Sequence, residues 1–460
     1  MDAILNFLPY IGWVLLAIMI LVFIHELGHY LFAKLFGMKV EKFSVGFPPK
    51  IIGKKIGETE YVLGLTPLGG YVKIAGMVDE SMDTDNLESE PKPHDFRAKP
   101  VWQRMLVMTG GVLFNIILAA IIFITMKVVY GESYPPAVGA VMVSEASVAH
   151  DMGLRTGDLI TGVNGKPVEA LEGLGVMEEV LLANPLIIDL EREGELIRLE
   201  GPVDMMTRLS TSGGTFGINF SAALVGVIVE DSPAEAAGLM RGDQIVLVGD
   251  SVITYFEDIE PALLATNGSS FLMRFVRSDT VFTSVSGPAV RLPDSLQIVD
   301  GTIFEVSMTA DRSNDQFVMG IFQMFRFNRY GFGQAIVSGV GETFVNTRLV
   351  AASLKRIFVG QDSFRQNIGG PVMIAKATKE AADAGARYFW GIVAMLSITL
   401  AIINILPIPA LDGGHLVFLI YEGIVRKEPP LKLRMILQQV GMVILLAFMV
   451  FVIFNDLLKL

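Results

Sequence analysis

Residues 11–35, Ile-Gly-Trp-Val-Leu-Leu-Ala-Ile-Met-Ile-Leu-Val-Phe-Ile-His25-Glu26-Leu-Gly-His29-Tyr-Leu-Phe-Ala-Lys-Leu, decide how the chain is built. The stretch is apolar enough, and long enough as a helix, to cross the ~30 Å hydrocarbon core of a bilayer. Yet it carries His25, Glu26 and His29, ionisable side chains whose burial in a membrane is expensive and marks function. Positions i and i+4 share one helix face, so His25 and His29 can grip one metal ion. Glu26, one residue along, can then act as a base toward a water at that metal. The chain has only five histidines. Two histidines bonded only to helix backbone or lipid headgroups would leave that burial cost uncompensated.

Working outward, three further apolar segments occur at Met105–Val129, Tyr388–Leu406 and Val440–Phe454. With 52% apolar residues and a mean hydropathy of +0.53, a 460-residue chain reads as an integral membrane protein with four spans and some soluble mass. The first span is too long for a signal peptide and lacks a basic start and a small-residue cleavage site. No Lys or Arg precedes it, whereas Lys34, Lys39, Lys42, Lys50, Lys54, Lys55, Lys73, Lys92, Arg97, Lys99 and Arg104 follow. Arg426, Lys427, Lys432 and Arg434 lie between spans three and four. This bias places both loops in the cytoplasm and both termini outside. The long stretch from about Gly131 to Gly385 then faces outward and carries most of the acidic excess behind the net charge of −12, which argues against nucleic acid. The absence of cysteine decides nothing about redox compartment.

That outer stretch contains a repeat. Gly153-Leu-Arg-Thr-Gly157-Asp158-Leu-Ile recurs as Gly238-Leu-Met-Arg-Gly242-Asp243-Gln-Ile, 85 residues on, a domain-sized offset. Short β-branched runs and helix-like stretches (Val176–Leu182, Asp258–Leu264) follow the copies. The pattern resembles tandem, circularly permuted PDZ domains, which bind peptides by strand addition. Between the first two spans, Glu41–Pro49 and Glu60–Met77 alternate apolar residues with Gly and Pro and read as short strands, or a hairpin, close to the metal helix. On pattern alone a plain cytoplasmic hairpin and a substrate-pairing edge are equally supported. Met82–Pro100 is acidic, Pro-containing and featureless, as a mobile linker is.

A third metal ligand is offered at Asn404-Ile-Leu-Pro407-Ile-Pro409-Ala-Leu-Asp412-Gly413-Gly414-His415, where two prolines and two glycines break the third span. Asp412 completes a two-His, one-carboxylate set with a position left for water. His415, one turn beyond, is the alternative ligand.

These motifs together resemble the site-2 protease family of intramembrane zinc metalloproteases: His25-Glu26-x-x-His29 in a first span, and Asn404-x-x-Pro407-x-Pro409-x-Leu411-Asp412-Gly413 closing a late one. Gly111-Val-Leu-Phe-Asn115 resembles the family's second-span motif, with Val112 where proline is usual. Gly369-Gly370-Pro371 resembles its segment before the third span. The Gly46-Phe47 turn and Pro67-Leu-Gly69-Gly70-Tyr71-Val-Lys resemble its membrane re-entrant β-loop, which tips the hairpin toward substrate pairing. The layout with tandem periplasmic PDZ domains resembles the bacterial branch that cleaves anti-sigma factors.

The fold expected is a polytopic α-helical membrane protein with four transmembrane helices, a membrane-associated β-hairpin loop and two periplasmic PDZ-like domains. Its divisions are the first span (1–36), re-entrant β-loop and acidic linker (37–100), second span (101–130), PDZ-like domains (131–215 and 216–310) and a linker with an amphipathic helix (311–385). The third span (386–412), a cytoplasmic loop (413–435) and the fourth span (436–460) complete the chain. The resemblance implies one Zn2+ per chain held by His25, His29 and Asp412, with Glu26 as general base then acid. Asn404, Gly46, Phe47, Gly69, Gly70 and Tyr71 would contact substrate or oxyanion, and Pro407, Pro409, Gly413 and Asn115 would support the site. Its implied partners are a single-span, anti-sigma-factor-like substrate, an upstream site-1-type protease and the lipid bilayer, in a bacterial inner membrane. Three other readings stand beside it: clearance of signal-peptide remnants, an inactive membrane-tethered PDZ scaffold, and a membrane di-metal oxidase, which would need more His and carboxylates in the spans.

Overall fold

In lipid, every backbone polar group of a spanning segment must be satisfied within it, which a helix does. The computed structural model describes residues 2–77, 91–134, 137–145, 147–167, 185–211, 216–221, 223–278, 301–313, 316–324, 326–367 and 369–459. The chain divides into two units: Met1–Tyr130 with Tyr330–Leu460, and Gly131–Arg329. Four helices of the first unit are long and apolar enough to cross a membrane: residues Gly12–Leu35 of α1 (Asp2–Leu35), α2 (Val101–Tyr130), and, after α3 (Phe332–Phe358) and α4 (Pro371–Asp383), α5 (Ala386–Ile405) and residues Leu431–Leu458 of α7 (Leu431–Lys459). Between the last two lies α6 (Asp412–Val425).

Lipid gives helices no hydrophobic reason to associate, so close packing depends on small residues. At Gly28 of α1 and Gly110 of α2 the backbones touch; a Cβ on Gly28 would lie 2.2 Å from the Gly110 carbonyl oxygen. Further along, Ala17 and Leu21 of α1, Ala119 and Phe123 of α2, and Val393 and Ile398 of α5 form one buried cluster. The amphipathic stretch α3 docks on α2, where Gly339 meets the backbone of Ile124.

Strands β1 (Val40–Ile56) and β2 (Thr59–Ile74) form a bent hairpin. Residues 40–45 pair with 70–74 on one side and 60–63 on the other, while 50–56 pair with 59–64. The lateral order is therefore 50–56, 59–64, 40–45, 70–74, with residues 70–74 at an edge. Gly46 makes the bend at φ +92°, a conformation that costs a residue with a Cβ.

Two expected boundaries are corrected here. The segment 413–435, expected as a loop, is largely helical: Asp412 begins α6 instead of closing the third span, because the Pro-x-Pro break spans only residues 406–411. Of the expected linker 82–100, residues 82–90 lie outside the described residues. Within its remainder Phe96 is buried in a three-residue 3-10 helix (Phe96–Ala98) and packs in one cluster with Val107 and Met108.

The second unit has two β-rich cores of matching design. Strands Lys166–Pro167, Leu159–Val163, Ile187–Arg192 and Glu195–Glu200 lie in that order in one sheet, and Ser251–Val252, Gln244–Val248, Phe271–Ser278 and Gly301–Met308 in the other. Ser147 and Ser232 accept N–H bonds at the starts of short helices Val148–Asp151 and Pro233–Ala236. Gly157 and Gly242 take φ of +97° and +95°, which is why glycine precedes each repeat aspartate. Asp158 and Asp243 accept the forked guanidinium of Arg192 and Arg277 and a backbone N–H of Arg155 and Met240, respectively. Those bonds hold both guanidinium groups above their ordinary pKa. The expected helix Val176–Leu182 lies outside the described residues, and its counterpart is helical at Ile259–Ala265. The boundary expected at residue 310 falls inside the second core, since Met308, Ala310 and Met319 are buried in one cluster.

Candidate active site

His25, Glu26 and His29 sit in the C-terminal half of α1, each less than a tenth exposed. Helical spacing sets the two imidazoles edge to face, with Nε2 atoms 3.2 Å apart. The break after α5 turns the chain back so sharply that a Cβ on Gly413 would meet the Leu406 carbonyl oxygen at 2.1 Å. Pro409 packs into a notch at Gly441 of α7, which fixes the turn from outside. The result sets Asp412 Oδ2 3.0 Å from His25 Nε2 and 3.4 Å from His29 Nε2. Among the described residues these three side chains form the one cluster whose geometry could hold a metal. His415 lines the same cavity as Glu26, His29, Tyr71 and Asp412 but stands outside that cluster.

Helix α2 supplies the next layer. The Val107 carbonyl accepts the Nδ1 proton of His29 at 2.8 Å; a carbonyl can only accept, so Nε2 of that ring keeps its lone pair. The Asn115 side-chain amide lies 3.1 Å from Nδ1 of His25, and Asn115 Oδ1 is buried without another partner. Turned so that this oxygen faces the ring, the amide accepts the Nδ1 proton and gives His25 the same tautomer. Ser397 of α5 donates to the Asn115 carbonyl at 2.8 Å. Asn404 brings its amide nitrogen to 3.3 Å from His25 Nε2. Gly111 has no room for a side chain: a Cβ would lie 2.5 Å from the His25 ring and 2.6 Å from His29 Nε2.

The hairpin edge runs past Glu26. A Cβ on Gly70 would meet Val22 at 2.8 Å and the Glu26 Cγ at 3.1 Å. Tyr71 lines the cavity and its ring stacks on Phe47, centroids 6.5 Å apart and planes 6° off parallel. Gly69 passes over the same Phe47 ring. Among the described residues no strand pairs on the outer side of 70–74. Of the residues singled out in the sequence, His25, Glu26, His29, Asp412, Asn404, Asn115, Gly70 and Tyr71 thus converge. Gly46, Phe47 and Gly69 shape the strand behind them, and Pro407, Pro409 and Gly413 shape the turn. Sequence reasoning missed Gly28, Val107 and Ser397. The first sits within the His-Glu-x-x-His motif itself and offered a small-residue signal; a backbone carbonyl and a lone serine offered none.

Comparison with known proteins agrees with this geometry. The profile of peptidase family M50 matches residues 13–448. The chain belongs to peptidase family M50. It is 28% identical to a protein named putative zinc metalloprotease from Vibrio cholerae, across all of both chains. It is 28% identical to the regulator of sigma E protease of Haemophilus influenzae, over 99% of this chain and all of that one. A putative zinc metalloprotease of Xylella fastidiosa is 30% identical over 98% and 99% of the two chains. The site-2 protease resemblance holds end to end, and this M50 chain is a membrane-embedded zinc metalloprotease.

The donor set fits zinc. The triangle of Nε2, Nε2 and Oδ2 has edges of 3.2, 3.0 and 3.4 Å, against the ~3.3 Å edge that a tetrahedron with ~2.0–2.1 Å bonds requires. Asp412 Oδ2 is buried with no hydrogen-bond donor, and it faces two ring nitrogens that bear lone pairs in the tautomers above. Three lone pairs aimed at one point repel unless a cation lies between them.

Proposed function

We propose that this M50 protease hydrolyses a peptide bond within the transmembrane segment of single-span membrane proteins, using His25, His29 and Asp412 to hold zinc and Glu26 to move the proton. The observation that carries the reading is the three-donor triangle beside a buried glutamate, with both histidines and Glu26 on a helix long and apolar enough to cross a membrane. Zinc in such a site lowers the pKa of water toward neutrality and polarises the scissile carbonyl. The Glu26 carboxylate takes the proton of the attacking water and delivers it to the leaving amine. Val107 and Asn115 keep the imidazoles in the tautomers that present Nε2. The Asn404 amide donates either to the developing oxyanion or to the substrate backbone.

A helical substrate shields its carbonyls, so a segment must unwind before attack. Residues 70–74 offer it an edge: the unwound segment adds as a strand alongside Gly70 and Tyr71, which brings its backbone past Glu26. The two cores of residues 131–329 act as PDZ-like domains and, by the Lys and Arg bias, lie with both termini on the periplasmic side of a bacterial inner membrane. There they admit substrates already trimmed by a site-1-type protease and exclude those with bulky external domains. The relative named regulator of sigma E protease supports an anti-sigma-factor-like substrate in regulated intramembrane proteolysis. Clearance of signal-peptide remnants would use the same residues.

Co-expression with candidate single-span substrates tests the chemistry. Glu26→Gln should keep zinc and fold but lose cleavage by roughly 10²–10⁴-fold, since an amide cannot accept the proton. Retention of more than about a tenth of wild-type turnover removes Glu26 from the role. For orientation, single cysteines placed at Lys54 and Arg426 should resist an impermeant thiol reagent in intact spheroplasts, and one at Glu193 should react. The chain's lack of cysteine keeps the background clean.

A further inference from the structure

Helix α6 presents the third zinc donor at its first residue, Asp412, and runs about 15 Å further to Glu422. There the Glu422 carboxylate accepts both terminal nitrogens of Arg104, in the first turn of α2, as a fork with one distance of 3.0 Å. The two side chains are 12% and 4% exposed, so the pair is shielded from water. Glu428, 38% exposed, makes a looser contact with Arg104 at 3.5 Å and meets Arg434 of α7 only at 4.0 Å. The tight partner of Arg104 therefore belongs to the helix that carries the zinc donor. Helix α2 is also the reference for the other two donors. Its Val107 carbonyl, one turn past Arg104, accepts the His29 Nδ1 proton, and its Gly111, two turns past, abuts both rings. On the α6 side, Leu419 is buried in one cluster with Val107 and Met108, and a Cβ on Gly423 would touch Val101 at 3.7 Å.

We propose that Arg104 and Glu422 are positioning residues for the zinc centre: their fork sets the rotation and height of α6 on α2, and thereby where Asp412 Oδ2 stands against the two Nε2 atoms. The proposal rests on the reading that His25, His29 and Asp412 hold the metal. Pro409 in its notch at Gly441 fixes the near end of α6, and the fork fixes the far end. Apolar packing alone leaves a helix free to turn and slide a little, whereas two parallel N–H···O bonds to a planar guanidinium tolerate little of either. A functional site needs its groups held to within about 0.5 Å, which makes that difference matter. Stability is a poor reason for the pair, since a desolvated ion pair rarely gains over apolar side chains of the same size. Geometry is what the fork contributes and apolar packing would not.

The test separates geometry from stability by exchanging the pair for apolar side chains of similar length in the full-length protein. Zinc-free Arg104→Met/Glu422→Met should melt no lower than zinc-free wild type. Its zinc affinity, read by competition with a chelator, should nevertheless fall roughly 10–100-fold, and the visible spectrum of the cobalt(II)-loaded protein should differ from that of wild type. Wild-type affinity with a wild-type cobalt spectrum overturns the proposal. So does a loss of affinity that comes with a lowered melting temperature, because the pair is then only a brace. Should the double variant not purify folded, Arg104→Lys decides: it keeps the charge, loses the fork and should weaken zinc several-fold, and unchanged affinity overturns the assignment. Glu428→Gln, at the exposed partner, should stay within about twofold of wild type. A loss there as large as the double variant's would move the role to the outer carboxylate and overturn the fork. His25→Ala keeps the two readings apart. If it retains zinc, the ligand assignment and this proposal fall together; if it loses zinc while the double variant binds as wild type does, only the positioning role fails.

Discussion

Asp412 and Asp243 are both shielded aspartates, and their surroundings are opposites. Asp243, 1% exposed, has its oxygens filled by the Arg277 fork and the Met240 N–H. Asp412 has an oxygen with no donor, set against two ring nitrogens that themselves offer lone pairs. The first arrangement is complete and holds a sheet to a turn. The second is complete only with a cation. A buried carboxylate therefore tells scaffold from site by what is missing around it, not by burial or charge alone.

The contrast can be broken most severely at Asp412. Asp412→Ala should drop bound zinc below half an equivalent and turnover by more than about 100-fold, since even outer-shell changes at metal sites cost 10–100-fold. Asp412→Asn should fall between. Full zinc and full turnover in the alanine variant would move the third ligand elsewhere, with His415 the first place to look. Next in size is Gly111→Ala. Its methyl group would overlap both imidazoles, and zinc affinity measured by competition with a chelator should fall roughly 10–100-fold with the helical content unchanged. Unaltered affinity would show that α2 can retreat and that the Gly28–Gly110 contact is not what sets the site. The smallest effect on chemistry belongs to the other aspartate. Arg277→Ala strands the Asp243 charge and should weaken the second core by about 3 kcal/mol, read as faster hydrogen exchange in strand Phe271–Ser278. Zinc content should not change; if it does, the two kinds of aspartate are not independent.

Much of the site was legible because its signals are local. The His25–His29 spacing is one helical turn, and the Pro407–Pro409 break flags Asp412 within a few residues. What could not be read depends on contacts with no local signature. The tautomer of His29 is set by the Val107 carbonyl, 78 residues away, and Asn115 is buttressed by Ser397, 282 residues away. The start of α6 was hidden because Gly413-Gly414 reads as a breaker, whereas both glycines are there to pass the backbone of the preceding turn. The end of the second core was misplaced because the strands at 311–313, 316–318 and 321–323 are too brief to show alternation. One signal was present and overlooked: an arginine stands 34 residues after the aspartate in both repeats, as Arg192 and Arg277 do.

The donors of the zinc triangle are also far apart in time. His29 and Asp412 are separated by 383 positions. At a synthesis rate of about 5–20 residues per second, the histidine pair waits in the bilayer for roughly 20–80 s before its carboxylate is made. Throughout that interval the growing chain carries two ligands and a base but no closed metal site. Placing the last donor after residues 131–329 means that the triangle can close only once that whole unit has been made.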